Sequence, residues 1–153
     1  MDHFKGFPDL PPVWLLLAYI AQKLLGWFVP LVALPEFGLV GMLLCALAVG
    51  LILWSATWFR AKKTRIEPHH TPSALIVEGP YKICRNPIYL GLVLVLVGTG
   101  LGSGALSAWL PTLVFPWIIT QRFILAEEAA LRSAFGPDAD AYIAKTGRWL
   151  PGL

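Results

Sequence analysis

Residues 37–59, FGLVGMLLCALAVGLILWSATWF, run for 23 positions without one charged side chain. At about 1.5 Å per residue, a helix of that length crosses roughly 30 Å of hydrocarbon. Arg60, Lys62, Lys63 and Arg65 follow at once. The rest of the chain agrees with this stretch. It is 57% hydrophobic and 14% charged over 153 residues, where a soluble domain carries about 25% charged residues. Too few polar side chains remain to cover a soluble globule. The bilayer is therefore the solvent, and the expected fold is an all-α integral membrane protein of one domain.

Three further apolar blocks flank the first. They cover residues 12–34, 87–104 and 106–125, giving about four transmembrane helices. The apolar core of the third, 87–101, is marginal by length and borrows Gly102–Ala105. Residues 60–86 and 126–153 remain as polar segments. Eleven of the 12 Lys and Arg residues lie at Lys5, between Arg60 and Arg85, and between Arg122 and Arg148. The connections near Pro35-Glu36 and Gly102–Ala105 have none. An even number of spans puts all three basic regions, and both termini, in the cytoplasm. The N-terminus shows no cleavable signal. Trp54, Trp58 and Phe59 read as an aromatic belt at the cytoplasmic end of the second span.

The net charge of +3 is juxtamembrane and faces anionic lipid, so nucleic acid is not expected as a partner. Cys45 and Cys84 read as free thiols. His69-His70 are adjacent and lack further ligands at metal spacing, so no metal is expected. Lys23 interrupts the first span, either as a functional charge or as a snorkelling side chain beside Gln22. Gly98-Thr99-Gly100 reads as a close helix-packing patch. Ser73–Val77 reads as a short extended piece, and Ala126–Phe135 as a short amphipathic helix with Leu131 and Phe135 on its apolar side.

The chemistry concentrates at residues 79–91, GPYKICRNPIYLG. A basic, turn-rich stretch meets the start of an apolar run there. Asn86-Pro87 marks a helix start, with Asn86 at the cap and Pro87 at the first helical position. Arg85-Asn86-Pro87 is either a capped helix beside an interface anchor, or an anion site on the first amide groups reinforced by Arg85. Tyr81 and Tyr89 flank it. Glu127-Glu128 is either a solvated first helical turn or a pair of acceptors for ribose hydroxyls or an ammonium group. Adjacent helical residues point about 100° apart, so one of the two reaches a ligand directly.

These segments, in this order, resemble a known family. Gly79-Pro80-Tyr81, Arg85-Asn86-Pro87-Ile88-Tyr89-Leu90-Gly91, Glu127-Glu128, Leu131, Phe135-Gly136, Tyr142 and Arg148-Trp149-Leu150-Pro151 are similar to the isoprenylcysteine carboxyl methyltransferase-like family, which is related to phospholipid methyltransferases. The resemblance covers about Phe59 to Leu153. It implies S-adenosylmethionine as cofactor, a lipophilic acceptor from the bilayer, and a bacterial cytoplasmic membrane as the location. It also implies a cofactor site of Gly79, Pro80, Tyr81, Arg85, Asn86, Pro87, Tyr89, Glu127 and Glu128. Where prenylcysteine enzymes carry His, this chain has Asn86, which hydrogen-bonds but takes no charge. The first Tyr of the family's Phe-Gly-x-x-Tyr-x-x-Tyr is Ala139 here.

Substrate choice turns on charge. The resemblance implies methyl transfer most like isoprenylcysteine carboxyl O-methylation, with phospholipid N-methylation as the alternative; the carboxylate acceptor needs a cation, for which Arg122 is the first candidate and Arg148 the second. A phospholipid amine must lose a proton, which Glu127 or Glu128 takes. Arg122 and Glu127 are thus the candidate catalytic residues. A non-catalytic four-helix transporter subunit or sensor also fits the hydropathy, but it leaves the order of turns, aromatics and acids without a reason.

Overall fold

The computed structural model describes residues 9–63 and 72–150. His69-His70 lie outside that range. Six helices follow one another: α1 (Pro11–Phe28), α2 (Gly38–Ala61), α3 (Pro87–Leu101), α4 (Trp109–Ile119), α5 (Leu125–Phe135) and α6 (Pro137–Lys145). Short 3-10 turns occupy Gly79–Lys82 and Leu106–Ala108, and a π-helical turn at Thr120–Ile124 joins α4 to α5. No strand forms among the described residues; Ser73–Val77 is irregular, and one isolated bridge pairs Ala33 with Ala105.

Among the described residues, two helices are long and apolar enough to cross a membrane: Gly38–Ala61, and the continuous helix Leu106–Phe135. The second matches its expected span closely, while the first helix stops at Phe28 instead of Leu34. At 18 and 15 residues, α1 and α3 are about 27 and 22 Å long, short of the four full spans expected. The chain after α1 contains Pro30 and Pro35, and its backbone bonds sideways to the loop after α3. Leu34 N donates to Gly104 O at 2.8 Å, Phe37 N to Leu101 O at 2.9 Å, and Leu106 N to Val32 O at 3.0 Å. Polar backbone that leaves the helix is thereby satisfied within the protein.

The expected short amphipathic helix after the fourth span forms as α5. Ala126–Phe135 continues α4 through the π turn, and α6 is an additional helix. Pro116 removes one amide from the ladder of α4, and the Thr120 hydroxyl donates to the Pro116 carbonyl at 2.7 Å. The ladder widens immediately afterwards. Residues 106–125 form the apolar part, about 30 Å; Glu127 and Glu128 follow it in α5.

Helices α2 and α3 make the most extensive contact. Their backbones touch at glycines: a Cβ on Gly98 would lie 2.6 Å from both the Gly41 carbonyl and Cys45 Sγ. The packing reading of Gly98-Thr99-Gly100 therefore holds. Between α1, α3 and α4 sits fully buried Gln22. Its Nε2 donates to the Leu96 carbonyl and to Thr112 Oγ1, both at 2.9 Å, and its Oε1 accepts from Thr99 Oγ1 at 2.6 Å. Lys23, one position on, is exposed with its ammonium 5.5 Å from the Tyr19 ring. The remaining core is Tyr89, Leu92, Leu96, Phe115, Phe123 and Ile119, with Ile124. Outward-facing Leu16, Leu39, Leu43, Leu47, Leu113 and Trp117 are all exposed, the inverse of a soluble protein and suited to lipid.

Candidate functional site

The site gathers where the end of α2, the start of α3, the start of α5 and the C-terminal segment meet. Gly79 opens it. Its φ is +58°, and a Cβ there would lie 2.1 Å from Trp58 Nε1, so only glycine fits. The turn it starts buries Pro80 and Tyr81. Phe59 meets the Tyr81 ring edge-on with centroids 5.9 Å apart, and the Tyr142 hydroxyl donates to the Tyr81 carbonyl at 2.8 Å. Trp58 and Phe59 therefore hold this turn, while Trp54 alone of the expected belt is well exposed. Burial pushes the Cys84 thiol up from its ordinary value.

The next segment is strapped to the C-terminus. Arg85 N donates to the Gly147 carbonyl at 2.9 Å. Asn86 occupies the cap position of α3 but its side chain caps nothing; Nδ2 donates to the Arg148 carbonyl at 3.0 Å. Pro87 is at the first helical position as expected. Arg148 holds the Glu128 carboxylate through Nε and Nη2, each at 2.8 Å, and Arg85 Nη1 meets the same carboxylate at 2.8 Å. Arg85 Nε is buried with no hydrogen-bond partner. Burial pushes the Glu128 carboxyl up, but the Arg148 hydrogen bond and the Arg85 and Arg148 charges outweigh it, leaving it below the usual carboxylate value.

Glu127, half-buried, turns instead toward α3 and accepts a hydrogen bond from the Tyr89 hydroxyl at 2.5 Å. Burial pushes its carboxyl up to about 7; the Tyr89 hydrogen bond pulls it down, and the Glu128 charge adds to the rise. Neighbouring carboxylates are thus driven apart, one held charged by two arginines and one poised near neutrality. Tyr89 in turn lies 6.3 Å from the Phe123 ring, and Trp149 packs against the same core.

Of the residues read from the sequence, Gly79, Pro80, Tyr81, Arg85, Asn86, Pro87, Tyr89, Glu127 and Glu128 come together at this rim. Arg122 is held by Asp9, ahead of α1, and by Trp14 in its first turn. Its guanidinium binds Asp9 by Nε at 3.2 Å and Nη2 at 2.9 Å and lies 4.9 Å from the Trp14 ring. Asp9 and Trp14 escaped the sequence reading. The one signal was an acid just ahead of a helix whose fourth residue is an indole. Gln22 was noted only as the neighbour of Lys23, although the amide is the buried residue and the ammonium the exposed one.

A bundle of lipid-facing helices with a charged, turn-built rim at one end is the build of an integral membrane protein. The chain belongs to the phospholipid methyltransferase family, whose model matches residues 37–138. It is 30% identical over 119 residues to the cobalt-zinc-cadmium resistance protein CzcN of Cupriavidus metallidurans, covering 74% of this chain and 49% of that protein. It is 40% identical over 63 residues to an uncharacterized protein of Haemophilus influenzae, covering 41% of this chain and all of that protein. It is 26% identical over 114 residues to the nickel-cobalt-cadmium resistance protein NccN of Alcaligenes xylosoxydans xylosoxydans. The chain spans about half the length of the two resistance proteins. No solved structure matches it.

Proposed function

We propose that the chain is an S-adenosylmethionine-dependent membrane methyltransferase whose acceptor is an amine carried by a bilayer lipid, as in phosphatidylethanolamine. The observation that carries the amine is Glu127. Its carboxylate is bonded to a neutral phenol, while Glu128 is held by Arg85 and Arg148 and Arg122 is matched by Asp9. A carboxylate with a neutral partner attracts a cation and takes its proton.

The donor set fits the cofactor. Buried, unbonded Arg85 Nε is a donor for a carboxylate, and Glu127 is an acceptor for an ammonium or a ribose hydroxyl. Gly79, Pro80, Tyr81, Asn86, Pro87, Tyr89 and Glu128 would hold it between the start of α3 and α5. When bound, it supplies a methyl group on a sulfonium whose thioether leaves neutral. No developing anion needs stabilising, so the chain acts by position and dehydration, worth up to about 7–11 kcal/mol for ideal orientation. Tyr89 fixes Glu127 through Oε1. The second oxygen, Oε2, takes the proton that the amine loses. Arg122, at the end of the apolar segment, contacts the anionic part of the acceptor; isoprenylcysteine carboxyl methylation is the reading in which it faces the reacting group itself.

Four spans with both termini in the cytoplasm accompany this reading. Among the described residues, the end of α2 and the start of α3 meet α5 at one end of the bundle, through the contacts of Trp58 with Gly79 and of Arg85 with Glu128. Incubating purified protein with isotopically labelled S-adenosylmethionine and total membrane lipid, followed by mass spectrometry, tests the function. Label on an amine headgroup is the expected result. Label as a methyl ester transfers the proposal to the carboxylate acceptor. Absence of transfer, with no calorimetric binding at millimolar cofactor, removes the enzyme in favour of a transporter subunit or sensor.

A further inference from the structure

Three hydrogen-bond donors from two separate elements converge on a single carboxylate. Arg122 presents Nε to Asp9 Oδ1 at 3.2 Å and Nη2 to Oδ2 at 2.9 Å, and Trp14 presents its indole Nε1 to Oδ1 at 2.8 Å. A planar guanidinium fork completed by an indole N–H is the geometry that recognises carboxylates and phosphates. Arg122 belongs to the π turn at the end of the apolar residues 106–125, and Trp14 to the first turn of α1. Both therefore lie at headgroup depth, where Trp and Arg are favoured. We propose that Arg122 and Trp14 form an anion seat for a phosphate-bearing ligand, and that Asp9 fills the seat in the structure as an internal stand-in.

Asp9 suits exchange. It precedes α1 and is not part of a helix. The pair is partly open to solvent, with side-chain exposures of 32% for Arg122 and 30% for Asp9, so water and dissolved anions reach the contact. A phosphate brings more acceptor oxygens than a carboxylate and engages the same donors. The π turn is the second pointer. Such turns frequently mark functional positions, and Arg122 within it faces Asp9 and Trp14 while Glu127, five residues on, faces α3. The seat rests on the methyl-transfer reading in that it takes the anionic part of the acceptor, but its test involves no turnover, so it can fail while methyl transfer stands.

The full-length protein in dodecyl maltoside is titrated calorimetrically with three probes: inorganic phosphate, dihexanoyl phosphatidate and dihexanoylglycerol. The wild type is expected to bind the phosphatidate and to ignore the uncharged glyceride. Asp9→Asn removes the competitor and tightens binding about fivefold, the equivalent of one half-exposed ion pair. Arg122→Gln weakens it at least tenfold, and Trp14→Phe about threefold. The same pattern with inorganic phosphate identifies a free anion as the ligand; the pattern with phosphatidate alone identifies a lipid headgroup. Equal affinity across wild type, Asp9→Asn and Arg122→Gln overturns the seat, as does weaker binding by Asp9→Asn. Should Arg122→Gln lose its helical circular dichroism, the Asp9→Asn and Trp14→Phe titrations decide on the same criteria.

Discussion

At the scale of residues, the structure separates two carboxylates that stand one position apart. A helical step of about 100° sends Glu128 to Arg85 and Arg148 and Glu127 to Tyr89. The consequence is a pH dependence with a definite sign. Glu127 titrates near 7 because burial opposes its charge. If it receives the amine's proton, turnover rises as pH passes through about 7 and levels above it, and Glu127→Gln loses that rising limb. The stability effect runs the other way. Folding raises this acid's affinity for its proton, so the folded state holds more protons than the unfolded one between about 4.5 and 7. Stability contributed by the protonated group is present below that window and falls as pH rises through it. Glu127→Gln is therefore expected to gain on the order of 2 kcal/mol over wild type above pH 7 and little near pH 4.5. Matched thermal unfolding in detergent at the two pH values checks this; a constant difference between the two proteins rules out the titration.

At the scale of elements, the hydropathy revealed where helices lie but not where they end. Residues 37–59 were legible because an uncharged run of that length has one stable home. The end of α1 at Phe28 was not, since Val29–Leu34 remains apolar while Pro30 and its pairing with residues 101–106 take it out of the helix. The π turn was invisible for a similar reason: periodicity distinguishes faces, and one extra residue in a turn merely shifts them. In the site, glycine, proline and acid positions were readable from their order. The strap of Gly147 and Arg148 across Arg85 and Asn86 was not, because it depends on backbone carbonyls that every sequence offers. Gly98 shows what the seam of α2 and α3 demands. Its substitution by Ala puts a methyl against the Gly41 carbonyl and Cys45 Sγ, forcing the backbones apart at about 1–3 kcal/mol. Gly50→Ala, with nothing within 4 Å of the new methyl, removes a helix-interior glycine and stabilises by up to about 1 kcal/mol. Thermal unfolding of the two variants should move in opposite directions, and a shift of the same sign in both contradicts the seam.

At the scale of the whole molecule, charge and packing divide the bundle into two unlike ends. One end holds the turn at Gly79, the arginine–carboxylate network and α6. The other holds Glu36, the loop at Gly102–Ala105 and an apolar cleft of about 280 Å³ lined by Leu34, Phe37, Leu101 and Trp109 among others. Helices α1 and α3 are shorter than a full bilayer crossing, yet the backbone beyond them is paired across to its neighbour, so this end can sit at the interface with the bilayer thinned locally at small cost. Four crossings then place the two ends on opposite sides. Cysteine labelling distinguishes this from a two-span arrangement. In a background of Cys45→Ala and Cys84→Ala, single cysteines at Glu36 or Gly102 should react with an impermeant maleimide on intact cells. Single cysteines at Lys82 or Lys145 should react only after permeabilisation. Both loop positions are exposed, as are both lysines, so accessibility in the fold does not limit the reaction. Labelling of Lys82 from the same side as Gly102, or of Lys145 from the same side as Glu36, breaks the four-span arrangement, and with it the assignment of the arginine-rich rim to the cytoplasm, because the positive-inside bias acts on loops only where the chain crosses between them.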